Sequence, residues 1–578
     1  MRKSCVILWL GVWCLELPAN TFVIDAPGGD LEVEVPHVAP AGALVRPASP
    51  ELPAFRPPSI FSAPLPSGSG ARALGSAGAF TALADDATAA SWNPAGLIQL
   101  ERPEVSIALR GSRTSNRQGD GASRVGDEEF SEDGVNYASV VYPFAVGGQN
   151  LVVSLNLQET FDFTQQYSAR TSDRRRDQAS DRDEAVYRET RVDSIEDGVF
   201  DVDITSQITT RKVSAYEQEL VSSLVNDLSY DQSGVLYAFS PALAAEITPT
   251  FSLGAAVNFH MDQPGASYGM RSSTRVRYGG RSVSTVSTRE TVTTSGSYTY
   301  QGTVTFPPSG SIPFPIRINI ADEGTYPAFT DEKRGTRRDE VVVAGDYNEV
   351  NELDDIQGVN ATIGALWAVN QRLSLGASLE TPWSADAVQT KTIAQDETTY
   401  NRDRSQVLDR VSRRDVTTRD VQFDFPMSWT VGGLYRWTEL FYTMVDVGWT
   451  EWSDFAFEAD GDEKINPLDG QPHASSKATD TWQARFGLEY LVDMTRWEIP
   501  LRGGFAWEER PALDEPDEVY SVSCGSGIGW GKGHQRRFID VAYTYAWSRG
   551  SSGLLPEGGS DGVDTEEHQV MISMIWHL

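Results

Sequence analysis

The feature that most constrains this chain is a series of segments in which apolar and polar side chains alternate. In residues 481-491, Trp482, Phe486 and Tyr490 share one face, whereas Arg485 and Glu489 share the other. Successive side chains of an extended strand point to opposite faces, so a period of two predicts strands with one apolar and one wet face. Because the pattern recurs along much of the chain, we expect an all-β protein.

Alternation of this kind is found both in soluble β-sandwiches and in membrane barrels. Three features favour a barrel. The segments reach the ~10 residues that a tilted membrane strand requires. Tryptophans recur near segment ends, where interfacial girdles lie, at Trp437, Trp449, Trp452, Trp482, Trp497, Trp507, Trp547 and Trp576. The chain also ends inside an alternating segment, with Val570, Ile572, Met574, Trp576 and Leu578 on one face, like the strand by which outer-membrane barrels are recognised for assembly.

The predicted strands form an even-numbered set, as single-chain outer-membrane barrels require. They are 105-112, 135-145, 150-161, 234-243, 251-260, 359-369, 371-381, 422-437, 439-452, 481-491, 497-507, 519-530, 535-548 and 567-578. The sequence therefore predicts a transmembrane antiparallel β-barrel of about 14 strands. The expected partners that follow are outer-membrane lipids and the barrel-assembly machinery.

Composition and motifs exclude several other classes. The formal net charge of -33 argues against a nucleic-acid partner, since phosphate binding requires concentrated Lys and Arg. The 6 histidines show no metal-ligand spacing, and we expect no metal and no cofactor. No Ser/His or Asp/His motif for hydrolysis stands out, so we expect no enzyme.

The N-terminal region divides into three parts. Residues 1-20 begin with Arg2-Lys3, continue with an apolar stretch and reach the small residue Ala19, which is typical of a signal peptide. Residues 21-70 are rich in proline and predict an extended, largely disordered arm. Residues 71-100 then contain the segment ARALGSAGAFTALADDATAASWNPAGL, which is dominated by Ala and Gly.

This third segment carries an acidic pair, Asp85-Asp86, and ends in the turn Asn93-Pro94-Ala95. It resembles the N-terminal hatch of the FadL family, which comprises outer-membrane transporters of long-chain fatty acids and other hydrophobic compounds. Residues 361-383, 425-435, 445-455 and 502-511 resemble later strands of the same family. The resemblance implies a fourteen-strand barrel over 101-578, with residues 71-100 as a plug in its lumen.

The resemblance also implies roles for individual hatch residues. Gly75 and Gly78 would permit close packing in the lumen. Asn93, Pro94 and Ala95 would fix the exit of the hatch into the first strand, with the Asn93 amide bound to groups of the lumen. Asp85 and Asp86 would either pair with lumen arginines such as Arg485 or Arg502, or cap a helix. The ligand-contacting residues of the family lie in segments without a match here, so no ligand site is assigned.

Three polar insertions interrupt the alternating pattern, near 162-232, 262-358 and 384-420. Outer-membrane barrels place short turns on the periplasmic side and long loops outside, so we expect all three insertions on the external face. Their regular Thr/Ser/Arg alternation predicts that part of them extends as strand above the membrane. Within them, the apolar stretch from Phe306 to Ile320 predicts either part of a hydrophobic groove for ligand capture or a local loop core.

Together these features predict a monomer in the outer membrane of a Gram-negative-type bacterium. Its expected function is passive import of long-chain fatty acids or similar lipophilic molecules through a hatch-gated barrel. A hydrophobic small molecule is the expected ligand. The alternative is a similar barrel that serves as a scaffold for secretion or surface attachment, and a soluble secreted β-protein is a third possibility.

Overall fold

The computed structural model describes residues 21–26, 29–34, 68–118, 124–125, 128–196, 198, 200–266, 268–307, 314–459, 462–468, 471–494, 496–511, 516–531, 536–551 and 563–578. The predicted signal peptide lies outside the described residues, as does most of the predicted arm. Within the arm, Thr21–Ala26 (β1) and Gly29–Glu34 (β2) pair as an antiparallel hairpin. In the described parts of the chain, no helix is both long and apolar enough to cross a membrane.

The remaining elements are two short helices followed by a long series of strands. The helices are Ala71–Gly75 (α1) and Ala89–Trp92 (α2), with 3-10 turns at Pro94–Gln99, Trp452–Asp454 and His473–Ser475. The first strands are Glu104–Gln118 (β3), Arg124–Val125 (β4), Glu128–Val146 (β5), Gln149–Asp162 (β6), Gln165–Glu196 (β7), Phe200–Thr248 (β8), Phe251–Asp262 (β9), Met270–Phe306 (β10) and Ile316–Ala368 (β11). The later strands are Leu373–Glu380 (β12), Trp383–Asn401 (β13), Val407–Phe425 (β14), Ser428–Arg436 (β15), Phe441–Thr450 (β16), Ala456–Ala459 (β17), Thr481–Asp493 (β18), Trp497–Arg510 (β19), Asp517–Trp530 (β20), Arg537–Ser551 (β21) and Val563–His577 (β22).

A closed ring of about 14 antiparallel strands surrounds the N-terminal helices. The ring consists of β3, β5, β6, the C-terminal part of β8, β9, the C-terminal part of β11, β12, β15, β16 and β18 to β22. It closes where β22 pairs with β3, from Val563↔Gln118 to His577↔Glu104. Each predicted membrane strand overlaps one strand of this ring, although the predicted strand 422-437 also includes the end of β14, so the predicted fold class is confirmed.

The ring has its apolar side chains outside and its polar side chains inside. On β18, Trp482, Phe486 and Tyr490 are exposed, whereas Arg485 and Glu489 are buried in the lumen. The same inversion holds on β21 and β22, where Val541, Tyr543, Val570 and Ile572 are exposed and Asp540 and Ser573 are buried. An exposed apolar band on a closed barrel requires lipid around it, because contact between so large an apolar area and water is unfavourable.

Tryptophan rings mark one rim of this apolar band. Trp429, Trp449 and Trp482 lie on three neighbouring strands. The ring centroid of Trp429 is 6.3 Å from that of Trp449 and 5.8 Å from that of Trp482. Exposed Trp437 and Trp497 lie near the opposite rim, beside the short turns. Trp452 differs from the sequence-based expectation. It is buried inside the barrel mouth and is not part of an interfacial girdle.

The three polar insertions are strand over most of their length. β7, the first part of β8, β10, the first part of β11, β13 and β14 form one antiparallel sheet, paired in that order, that continues the barrel wall beyond one rim. With 37 residues and a rise of ~3.3 Å per residue, β10 is roughly 120 Å long. The turns at the opposite rim are short, for example at Gly147 and Gly148, which is the arrangement expected if the sheet stands on the external side.

This outer sheet has its own interior contacts. Tyr278 on β10 lies over Gly345 of β11 and donates a hydrogen bond to Glu397 of β13, 2.8 Å away. Lys212 pairs with Glu290 at 2.9 Å on the neighbouring strands β8 and β10. The described ends of the stretch from Phe306 to Ile320, residues 306-307 and 314-320, lie at the far tip of the sheet, where Phe306, Phe314, Ile316 and Ile318 are exposed. They therefore lie far from the barrel mouth.

Candidate functional site

Residues 68–100 fill the lumen of the barrel and are called the hatch below. Most of its side chains are small, so the backbone of α1 and of the turns around it can approach the wall closely. Phe80, Leu83 and Leu97 are fully buried and pack against wall residues that include Met444 and Leu434. The hatch is thus the core of the barrel at this level.

The wall meets the hatch through glycines that face the lumen. A Cβ atom added at any one of them would lie within 3.0 Å of a hatch atom, so only glycine fits without displacement. They are Gly254, Gly364, Gly376, Gly487, Gly504 and Gly525, on β9, β11, β12, β18, β19 and β20. Glycine weakens a strand interior and often marks the close approach of another backbone. These six positions form a seat shaped for the hatch.

Two hatch glycines that the sequence singled out take different roles. Gly75 lies at this seat, where a Cβ would be 3.1 Å from the Cα of Gly525, and its carbonyl accepts a hydrogen bond from Ser523 at 3.1 Å. Gly78 has a φ of +74°, a conformation that side chains disfavour. Close approach therefore accounts for Gly75, and the backbone turn for Gly78.

Polar side chains of the wall bind the backbone of the hatch from several directions. The Asp446 carboxylate accepts hydrogen bonds from the amides of Phe80 and Thr81, both at 2.9 Å. Glu104 accepts from the amide of Ala87 at 2.9 Å, and Ser573 accepts from the amide of Ala71 at 2.6 Å. Buried backbone groups without partners cost free energy, so the wall supplies partners that the short helices cannot.

Asn93 joins the hatch to the wall where the 3-10 turn begins. Its side-chain amide donates to the carbonyl of Thr81 at 2.8 Å and to the wall carbonyl of Ala365 at 3.0 Å, and its oxygen accepts from the amide of Ala95 at 3.1 Å. Pro94 follows as the first residue of the turn, where its missing N–H costs nothing. Both amide donors and the oxygen of Asn93 are therefore in use.

A buried ionic network ties the hatch to four wall strands, and Arg72 of α1 is its centre. Arg72 contacts Asp85 at 2.6 Å, Glu489 at 3.3 Å and the hydroxyl of Tyr442 at 3.1 Å. Glu489 also pairs with Arg502 at 2.7 Å, and Arg502 in turn pairs with Asp540. The network thus runs from the hatch to β16, β18, β19 and β21.

The expected pairing of the acidic pair with Arg485 or Arg502 is wrong. Asp85 pairs with Arg72 of the hatch itself, while Arg485 pairs with Glu508 at 2.9 Å. Asp86 accepts from the amide and the hydroxyl of Thr88, at 2.9 Å and 2.6 Å, and so closes its own turn just before α2. A cation 13 residues earlier in the same segment gives no local sequence signal, so Arg72 was missed.

A cavity lies between the hatch and the external rim. Its empty volume is about 1130 Å³, part of which is open to solvent. Trp92 of the hatch, Phe161, Trp383, Phe425 and Trp452 contribute aromatic wall, and Asn258, His260, Thr362 and Glu380 contribute polar wall. Mixed walls of this kind are typical of small-molecule sites, in which apolar area binds and a few polar groups select.

Above the cavity, apolar side chains close the barrel mouth and form what we call the mouth cluster. Its large members are Phe163, Leu236, Met270, Leu353, Ile356, Trp383, Phe423, Phe425, Trp452, Phe455, Phe457 and Leu468. The rings of Trp383 and Phe425 stack at 4.3 Å, and those of His260 and Trp383 stack at 3.8 Å. Groups of three or more residues able to hold a metal ion are absent from the part of the chain that the structure describes.

The closed ring, its outward apolar band and its filled lumen define the class of this protein. It is an outer-membrane β-barrel whose lumen is plugged by its own N-terminal segment. No family model and no curated protein matches the chain.

Three solved structures are similar to this chain at low sequence identity. A Pseudomonas aeruginosa FadL homologue is 14% identical with a TM-score of 0.47, covering 89% of this chain and 99% of that chain. The Ralstonia pickettii toluene transporter TbuX is 12% identical with a TM-score of 0.41, covering 88% and 98%. The P. putida toluene transporter TodX is 11% identical with a TM-score of 0.40, covering 88% and 99%.

Proposed function

We propose that this protein is a FadL-type transporter that passively imports hydrophobic compounds across the outer membrane. The observation that carries the proposal is the cavity between the mouth cluster and the hatch. The mouth cluster is apolar and stands at the base of a strongly polar outer sheet, so a hydrophobic solute that parts its buried side chains finds apolar contacts there. Opening of this cluster admits the solute to the cavity, and the hatch is the second barrier.

Passage then requires the hatch to shift, and its contacts suit a movable plug. Hydrogen bonds to single wall side chains and one ionic network hold the hatch. Most hatch side chains are too small to interlock with the side chains of the wall. The barrier role of the hatch is therefore assigned to Asn93, Pro94, Ala95, Asp85, Asp86, Gly75 and Gly78, together with Arg72. We propose that the protein acts as a monomer, because a single chain closes the whole ring.

Uptake in cells tests this proposal. The full chain is expressed in a Gram-negative host without its own fatty-acid transporter, and uptake of labelled oleate and labelled toluene is followed for the wild type and for Asn93→Ala. Insertion is checked by heat-modifiable migration on detergent gels and by fractionation. We expect uptake of at least one compound above the empty-vector level and an altered rate for the variant. An inserted wild-type barrel that takes up neither compound would overturn the proposal.

The scaffold function remains a second candidate because of the outer sheet. A structure of roughly 120 Å is far larger than capture of a small molecule requires. A scaffold predicts that oleate and toluene uptake stay at the empty-vector level while cells bearing the barrel gain a surface-attached partner. Removal of the part of the sheet that lies beyond the mouth cluster distinguishes the two functions, since transport by the remaining ring and mouth would persist and attachment would not.

A further inference from the structure

A chain of hydrogen bonds along the cavity wall fixes the orientation of several buried side chains. Glu380 of β12 accepts a hydrogen bond from the side-chain amide of Asn360, 2.8 Å away on β11. The oxygen of Asn360 accepts in turn from the amide of Asn258 at 2.8 Å and faces Nε2 of His260 at 3.2 Å. A carboxylate only accepts hydrogen bonds, so the amide nitrogen of Asn360 must face Glu380. The oxygen of Asn360 therefore faces Asn258, and the amide nitrogen of Asn258 must face that oxygen.

The same chain determines the tautomer of His260. Because the oxygen of Asn360 can only accept, Nε2 of His260 carries the proton and Nδ1 is left as an acceptor. Asn258 uses its amide for Asn360 and for the hydroxyl of Thr362 at 2.9 Å, which leaves its own oxygen as a second acceptor. Within the described residues, neither the Asn258 oxygen nor Nδ1 of His260 has a hydrogen-bond partner. Both residues are only 3% exposed, and both line the cavity.

Two buried acceptors without donors are costly, since a buried polar atom that lacks a hydrogen bond loses about 1–3 kcal/mol. A ligand that donates hydrogen bonds would remove this cost. The surrounding wall is aromatic, because Trp383 stacks on His260 and Phe425 stacks on Trp383. Rings of this kind favour a flat, aromatic partner.

The charges that line the cavity disfavour a carboxylate ligand. Glu380 has only neutral polar partners, Asn360 and Ser428, among the contacts of the described residues. Arg485, which also lines the cavity, is paired with Glu508. A carboxylate ligand would approach Glu380 without a free cation to balance its charge, and like charges at short range repel.

We propose that this cavity selects small aromatic compounds that carry a hydrogen-bond donor, such as a phenolic hydroxyl or an amine, over carboxylates and over the corresponding methyl ethers. The proposal rests on the proposed transport function and specifies its substrate class. Asn258 and His260 receive the donor, and Asn360 and Glu380 hold them in the accepting orientation.

Calorimetric titration of the full-length barrel in detergent tests the proposal. The probes are p-cresol, 4-methylanisole, 4-methylbenzoate and toluene, each also titrated into detergent without protein. 4-Methylanisole carries a methyl group in place of the donor hydrogen of p-cresol, and toluene lacks the hydroxyl altogether. One net hydrogen bond corresponds to about tenfold in affinity, so p-cresol is expected to bind about tenfold more tightly than 4-methylanisole. We expect 4-methylbenzoate to bind most weakly. Equal or weaker binding of p-cresol relative to 4-methylanisole in the wild type would overturn the proposal, whatever the variants do.

Variants then locate the preference. His260→Phe keeps a flat ring against Trp383 but removes the acceptor, and Asn258→Leu removes the other acceptor. Both are expected to reduce the p-cresol preference while toluene affinity changes less than about threefold. His568→Phe makes the same replacement at an exposed site and is expected to keep the full preference. A preference that survives the double variant would refute the assignment to these residues. Equal binding and uptake of p-cresol and 4-methylanisole would refute this inference alone. No uptake of any probe by the inserted barrel would refute the transport function.

Discussion

Gly504→Ala changes one atom at the seat of the hatch. The added Cβ would lie 2.5 Å from the carbonyl carbon of Ser76 and 2.6 Å from the amide nitrogen of Ala77, whereas ordinary contacts begin at 3.4 Å. Both neighbours are backbone atoms, so no side-chain rotation relieves the clash. The hatch or the wall must move by about 0.9 Å, the difference between 3.4 and 2.5 Å. Overpacking of this kind typically costs about 1–3 kcal/mol.

Gly503→Ala is the matched control, because the neighbouring glycine faces outward and its added Cβ would have its nearest neighbour at 3.9 Å. Amide hydrogen exchange of residues 76–81 measures the loss, since local opening of the hatch exposes these groups. A cost of about 1–3 kcal/mol corresponds to roughly 5- to 150-fold faster exchange in Gly504→Ala and little change in Gly503→Ala. Ion conductance in planar bilayers should rise in the same variant. Indistinguishable exchange and conductance in the two variants would refute the seat.

Three further variants follow from the contacts of the hatch and of the outer sheet. Arg72→Met removes the guanidinium that Asp85 and Glu489 share, while Glu489 keeps Arg502; loss of one partner from a buried pair costs up to about 3–5 kcal/mol, so the tryptophan-fluorescence transition in denaturant should move to lower concentration. An unchanged midpoint would contradict the network. Asn93→Asp places a carboxylate oxygen against the carbonyls of Thr81 and Ala365, so hatch exchange should quicken more than in Asn93→Ala, and the reverse order would contradict the donor role. Lys212→Met leaves Glu290 unpaired in the outer sheet, which should increase protease cleavage on whole cells without change in toluene uptake, and slower uptake would show that the sheet takes part in transport.

The membrane strands could be predicted because each carries its own signal. A lipid-facing side chain must be apolar and its neighbour faces water or the hatch, so Trp482 to Tyr490 reveal their faces without any tertiary information. The outer sheet lacks that signal. One face of β10 is largely buried, but serine and threonine fill it as often as apolar residues do, so polar residues alternate with polar residues and only the Thr/Ser/Arg rhythm indicated strand. The full extent of the outer sheet depends on pairing between β8, β10 and β11, which cannot be inferred from any one segment of the sequence.

The candidate site was predictable in its location but less so in its chemistry. The hatch was recognisable from its small residues and from the Asn93-Pro94 turn. The partner of Asp85 was not, because Arg72 becomes its neighbour only when α1 folds back across the lumen. The wall glycines are a sequence signal for the close approach of another backbone, since Gly504 and Gly525 interrupt strand patterns at lumen-facing positions. Asn258 and His260 come together with Asn360 and Glu380 only through the order of β9, β11 and β12.

The outer sheet has a consequence for how this protein is made. The ring closes when the last strand, β22, pairs with the first, β3, and the whole sheet must stand outside by then. We therefore expect its strands to cross the membrane as unfolded chain and to pair only after export. A long chain in that condition avoids self-association best when it is charged and poor in apolar runs. The dense Arg, Asp and Glu of β7 are thus as much a condition for biogenesis as a property of the finished surface.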